Sequence, residues 1–226
     1  MKLVHAEINT LLQFTEGRPN ITVVENPQLM RTLITDLMTM QEGNEGDFVL
    51  SEGEKLLSIA KYVDLVVNPF ALEINKRKVL TKLYDELSRV AVDAEHYAAT
   101  QEIKGGLAKY LYELIYASDL QLTFNEDFSM KDILQAVSVK FDEEGTTMLE
   151  KLVAYFNVMH GFLGIKVFCF VNLTSYLNRE ELALLFQEAA YRKIYLLLLE
   201  NKYGTKVGEE KLLVIDNDLC EVYSDY

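Results

Sequence analysis

Two almost wholly apolar runs, Val167-Phe-Cys-Phe-Val171 and Lys193-Ile-Tyr-Leu-Leu-Leu-Leu199, flank a segment with helical spacing. Runs that are apolar at every position predict strands buried on both faces, as in a parallel sheet. Near the other end, Ile21-Thr-Val-Val24 reads as a strand, and Glu25-Asn26-Pro27 starts a helix. Asn26 suits the N-cap and Pro27 the first helical position, so a helix is predicted to about Met40. A turn-rich loop covers residues 41–47. Phe48-Val-Leu50 predicts a short strand, Gly53 to Lys61 a short helix, and Tyr62 to Val67 a further strand stopped by Asn68-Pro69.

The pattern then changes period. From Asn75 to Tyr116 there is no proline, and Leu80, Leu83, Leu87, Val90, Ala94 and Tyr97 recur at alternating steps of three and four. That is a seam of coiled-coil type, sustained for about three heptads. Gly105-Gly106 is expected to kink or break the helix, with apolar spacing resuming from Leu107 to Ile115. Shorter helices are expected from Ser129 to Ser138, with Ser129 and Asp132 spaced as a capping box, and from Thr146 to about His160. After Gly161 and Gly164 the strand–helix–strand pattern returns, closing with Leu212-Leu-Val-Ile215 and, more weakly, Leu219 to Tyr223. The chain therefore reads as an α/β domain built from residues 1–72 and 163–226, with an all-helical insertion over 73–162.

Half of the 226 residues are apolar, which supplies a core and excludes a disordered class. No apolar run reaches about 18 residues, and the start has no signal-peptide centre, so a cytoplasmic protein with no membrane partner is expected. Cys169 and Cys220 read as free buried thiols in a reducing compartment. The net charge of −13 argues against a nucleic-acid partner on average, but a local basic groove can coexist with an acidic exterior.

Phosphate-loop chemistry needs glycines whose backbone wraps phosphates and a lysine that reaches them. After the first clear strand the chain instead reads Glu25-Asn-Pro-Gln-Leu-Met-Arg31, and Pro27 removes a donor. At the end of Val167–Val171, where nucleotide hydrolases direct magnesium with an acid, stands Asn172. His5, His96 and His160 each lack a second histidine at metal-binding spacing, and the helix terminus is the expected role of His160. No Gly-x-Ser-x-Gly is present, and neither cysteine has a base nearby in sequence.

The basic cluster stands out. Lys76, Arg77, Lys78 and Lys82 place four cations within seven residues, and Lys78, Lys82 and Arg89 share one helix side. One reading is a solvated face, with Asp85 and Glu86 as i+3 and i+4 partners. The other is a stripe that tracks phosphates. Acidic residues gather at Glu126-Asp127, with Asp119 and Asp132 near, and at Asp142-Glu143-Glu144. They lack the EF-hand pattern, and capping with loop solubility is their plain role.

Four segments in order carry a resemblance: Asp119-Leu-Gln-Leu-Thr-Phe-Asn-Glu126; Ile133-Leu-Gln-Ala-Val-Ser-Val139; Phe170-Val-Asn172 with Tyr176-Leu-Asn-Arg-Glu-Glu181; and Leu198-Leu-Glu200. A looser match runs from Val63-Asp-Leu-Val-Val67 through Asn75 to Glu86. In these the chain resembles the small accessory adaptation proteins of type II-A CRISPR systems, the Csn-two family. The resemblance implies a degenerate P-loop-like α/β head with an inserted helical leg. It implies a homotetrameric ring that threads double-stranded DNA ends through a lysine-lined hole, without catalysis, in spacer acquisition. Implied partners are the CRISPR integrase proteins and the RNA-guided effector nuclease, and the implied cofactor is calcium. The DNA-binding residues would then be Lys76, Arg77, Lys78, Lys82 and Arg89. Thr123 and Asn125 replace carboxylates that members commonly carry, so only Glu126 and Asp127 are carried over as metal ligands. The alternatives are a divergent P-loop NTPase and an interaction scaffold assembled through the Leu80–Tyr97 seam.

Overall fold

A computed structural model of the chain describes residues 1–143, 147–204 and 206–224. Glu144 and Thr146, named above in an acidic cluster and a helix start, lie outside the described residues. The fold is mixed α/β, with two sheets and seven α-helices among the described residues. It divides into two compact units, residues 1–74 with 143–226 and residues 75–142.

The first unit holds both sheets. Strands β3 (Asn20–Val24), β6 (Val63–Val66), β7 (Val167–Val171), β8 (Tyr195–Glu200), β9 (Lys211–Ile215) and β10 (Glu221–Ser224) form one sheet in the order β10-β9-β3-β8-β7-β6. All pairings are parallel except that of β10 with β9. Every residue of β7 is buried, and its side chains alternate between two layers. Val167 and Cys169 share a core with Leu29, Leu33 and Leu37 of α1 (Pro27–Gln41). Phe168 and Phe170 instead meet Phe156 of α6 (Met148–Val158), with ring centres 4.7 and 6.0 Å away. Burial on both faces is what makes the strand apolar throughout.

A small antiparallel sheet joins this core, in the order β2-β1-β4-β5, from β1 (Lys2–His5), β2 (Ile8–Gln13), β4 (Phe48–Glu52) and β5 (Lys55–Leu57). It departs from the expected pattern twice. The first two strands have no counterpart among the predicted elements, and β5 stands where a helix was expected from Gly53. Gly53 takes a left-handed φ of +61° in a two-residue turn, and Glu52 pairs with Lys55 across it. A hairpin needs that geometry, and glycine adopts it without strain. Only the short α2 (Ile59–Tyr62) follows.

The second unit holds α3 (Arg77–Val90), α4 (Tyr97–Tyr116) and α5 (Met130–Ala136). Asn75 and Phe141 close it with reciprocal hydrogen bonds of 3.0 and 2.9 Å. The helical pattern breaks at 91–96, not at the glycines. Asp93 Oδ1 accepts the backbone N–H of Glu95 and of His96, a local bond that competes with the helix ladder. Gly105 and Gly106 lie inside an unbroken α4. The unit also ends earlier than the expected insertion. α6 belongs with the sheets, because its Phe156 fills the layer against β7 and Tyr155 donates to buried Asp64 of β6 at 2.6 Å.

The two cysteines part company. Cys169 is buried, whereas Cys220 is exposed beyond a turn in which Asp216 Oδ1 accepts the N–H of Asp218 and of Cys220.

Candidate nucleic-acid interface

All five cations of the basic cluster sit on α3 or its cap: Lys76 is the N-cap, Arg77 opens the helix, and Lys78, Lys82 and Arg89 follow. The first turn contains no acid, and Lys76 supplies no side-chain cap. A helix start already carries unpaired N–H groups and the positive end of the helix dipole. Cations placed there work against helix stability by about 0.3–1 kcal/mol each. Three of the other helices show the stabilising arrangement, while α1, α2 and α4 also start without an acid. α5, α6 and α7 (Arg179–Tyr191) each start with a capping box, closed by Asp132, Glu150 and Glu181. α3 reverses that rule, and the reversal concentrates positive potential where phosphate oxygens are well received.

Three of the cations, Arg77, Lys78 and Lys82, are not taken up by the acids beside them. Asp85 receives Lys131 of α5 at 2.5 Å, and Arg89 Nε donates to the Asp85 carbonyl at 3.4 Å. Among the described residues Arg77, Lys78 and Lys82 form no ion pair, and all three side chains are exposed. Lys76 is half-buried. Of the two acids offered as partners, Asp85 is taken by Lys131 and Glu86 forms no ion pair with these cations among the described residues; exposed cations of this kind fit a solvated face and a phosphate stripe alike.

Glu126 and Asp127 lie together on an exposed turn in which Asn125 Oδ1 accepts the Asp127 N–H. The Tyr112 hydroxyl bonds to Glu126, and this raises the Tyr112 pKa. Neither acid joins a group of three or more His, Cys, Asp or Glu donors among the described residues. Calcium takes roughly 6–8 oxygen ligands. Two carboxylates would leave most of those positions to backbone and water oxygens.

The places where nucleotide chemistry would sit are filled by structural bonds. Only Glu25 and Asn26 separate β3 from α1, too few to wrap a phosphate. Asn26 Oδ1 itself accepts the N–H of Gln28 and Leu29, the donors a phosphate would need. Asn172 adopts φ +53° and accepts the Asn201 N–H, which ties the end of β7 to the loop after β8. Burial raises the Glu200 carboxyl, although bonds from the Thr174 N–H and hydroxyl oppose the shift. Burial, and then the nearby Asp64, push the Cys169 thiol far up, so it is no nucleophile at neutral pH. His160 Nδ1 donates to the Ile165 carbonyl at 2.6 Å, a structural bond of the kind expected at a helix end.

One constellation escaped the sequence reading: His5, Asp36 and Asp47 bring three metal-capable atoms within 4.8 Å of one another. They come from β1, from α1 and from the loop before β4. The available signal was a histidine two places after Leu3, on the buried side of an alternating strand.

A family model described as "CRISPR-associated protein (Cas_Csn2)" matches residues 40–219. No curated protein matches the chain. Among solved structures, the ADP conformation of an ATP-binding cassette of an ABC transporter aligns at a TM-score of 0.48 and 10% identity, over 96% of this chain and 84% of that one.

Proposed function

The chain belongs to the CRISPR-associated Cas_Csn2 family, and on that premise we propose that it is a non-catalytic protein that grips the ends of double-stranded DNA during spacer acquisition. The observation that carries this reading is the acid-free start of α3, with Arg77, Lys78 and Lys82 exposed and unpaired among the described residues. Such a stripe recognises phosphate, not base identity, so binding is independent of sequence. Lys76 and Arg89 extend the stripe at its two ends.

One copy of α3 is a short track on an acidic chain. A homotetrameric ring repeats it around a central hole and leaves the acidic surface outside, which reconciles the net charge of −13 with a polyanionic ligand. α4 supports self-association: Ile103, Leu107, Tyr110 and Leu114 recur at three- and four-residue steps, yet all are exposed in the single chain. Faces of that kind mark protein contacts. The CRISPR integrase proteins and the RNA-guided effector nuclease are the partners this role requires. The two-residue phosphate-loop position and Asn172 support an accessory role over ATP turnover. No step of the proposed activity runs through calcium.

The test compares linear duplex with covalently closed circles of the same sequence in a gel-shift titration, alongside ATP turnover on the same sample. A threading ring retains the linear form and discriminates against circles, which offer no end. Equal retention of both forms removes the ring, and ATP turnover abolished by Arg31→Ala installs the NTPase reading instead.

A further inference from the structure

We propose that His5, Asp36 and Asp47 form a binding site for a divalent transition-metal ion of the zinc or manganese kind, in the first unit and independent of the DNA-binding stripe. His5 Nε2 and Asp36 Oδ2 lie 2.8 Å apart, and a carboxylate oxygen of Asp47 completes a set gathered within 4.8 Å. Donors bound to a metal at roughly 2.0–2.2 Å are separated by about 3–3.5 Å. A small inward movement of the exposed Asp47 is enough to reach that spacing.

Three features make this more than neighbouring charges. The His5 side chain is 1% exposed and its ring packs on Phe48 at 4.4 Å, so its direction is fixed by the core. No lysine or arginine pairs with Asp36 or Asp47 among the described residues, which leaves two carboxylates facing one imidazole. The loop carrying Asp47 is seated closely on α1: a Cβ at Gly46 would fall 2.6 Å from Met40 Cγ. Only glycine there lets Asp47 come beside Asp36 with the Met40 side chain as it stands. One nitrogen and two carboxylate oxygens, with an open solvent side for water, suit zinc or manganese better than calcium.

The metal-free tautomer is set by the surroundings. The Glu7 backbone N–H donates to His5 Nδ1 at 3.2 Å, so Nδ1 carries no proton and Nε2–H points at Asp36. A metal on Nε2 requires the other neutral tautomer, so the single ring N–H proton moves by exchange with water from Nε2 to Nδ1. The Glu7 N–H, in an exposed turn, then bonds to water. Binding therefore writes a tautomer change into His5.

The experiment uses the full chain after chelator treatment, titrated with zinc, manganese and calcium chlorides by calorimetry, with nitrogen-detected NMR of the histidine rings. Zinc or manganese is expected to bind at one equivalent, to raise the melting temperature and to move the His5 ring proton from Nε2 to Nδ1. Asp47→Asn is expected to weaken binding at least tenfold, as is His5→Gln; should His5→Gln fail to fold, the exposed Asp47 carries the test. The pair Glu126→Gln with Asp127→Asn retains zinc binding. The proposal is overturned if neither zinc nor manganese saturates the chain, if Asp47→Asn binds as the parent does, if His5 keeps its tautomer, or if calcium binds this set more tightly than zinc. DNA retention is read separately, so loss of either proposal leaves the other standing.

Discussion

Lys78 and Lys82 stand exposed on α3, as candidates for phosphate contact. Lys82 has Asp85 and Glu86 at i+3 and i+4, whereas Lys78 has Thr81 and Lys82 there; neither lysine is ion-paired among the described residues, and Lys131 reaches Asp85 from another helix. Lys78→Glu with Lys82→Glu should lower affinity for linear duplex at least tenfold in a gel-shift titration, with the circular dichroism spectrum unchanged. An unaltered affinity takes the stripe out of the interface. Asn26 is a second decisive residue. Asn26→Ala leaves the Gln28 and Leu29 N–H groups without their acceptor and should cost about 1 kcal/mol in urea denaturation. Glu210 gives the pH response. Its burial alone raises the carboxyl, but the Tyr203 hydroxyl and the Val207 and Gly208 N–H groups outweigh that and hold it below the usual carboxylate range. A folded pKa under the unfolded one contributes stability above the unfolded value and loses it as pH falls. Melting temperature should therefore begin to drop below about pH 4.3, the ordinary glutamate value, and Glu210→Gln should flatten that part of the curve.

At the scale of elements, α4 shows local propensity overruled. Two adjacent glycines each cost a helix about 1 kcal/mol relative to alanine. They nevertheless sit mid-helix, and a methyl group added at either would meet nothing within 4 Å. Gly105→Ala with Gly106→Ala should therefore stabilise the isolated protein by up to about 2 kcal/mol. If thermal melting instead falls, a contact with another chain occupies that space. The helix begins only after Asp93 has captured its own backbone, a signal present in the sequence as an ordinary acid. Capping boxes were legible at Ser129–Asp132 because both partners lie within one turn.

For the whole molecule, charge and surface point the same way. On the proposed reading, an acidic chain with an acid-free basic start to α3 binds a polyanion where copies bring those starts together. Ile103 is 55% exposed, Tyr110 57% and Leu114 49%, on a helix whose sole buried residue is Thr100. Leu107→Glu with Tyr110→Glu should lower the mass measured by light scattering and weaken DNA retention in step. Retention that survives dissociation would separate the DNA surface from the ring. If each copy neutralises phosphates as proposed, affinity should fall about 10³–10⁵-fold between roughly 50 and 200 mM salt for ~6–10 contacts.

The sequence by itself determined whatever is decided within a few residues. Strands β7 and β8 were readable because both their faces are buried, the start of α1 because Asn26 and Pro27 are adjacent, and the missing phosphate loop because its glycines would be contiguous. Tertiary structure alone decided matters between distant segments. It placed His5 beside Asp36 and Asp47, gave Asp85 to Lys131, and assigned α6 to the sheets through Phe156 and Phe168. Side-chain period and capping are short-range and leave a trace at fixed spacing. Pairing across tens of residues depends on how the chain returns to itself, and no local pattern encodes that path.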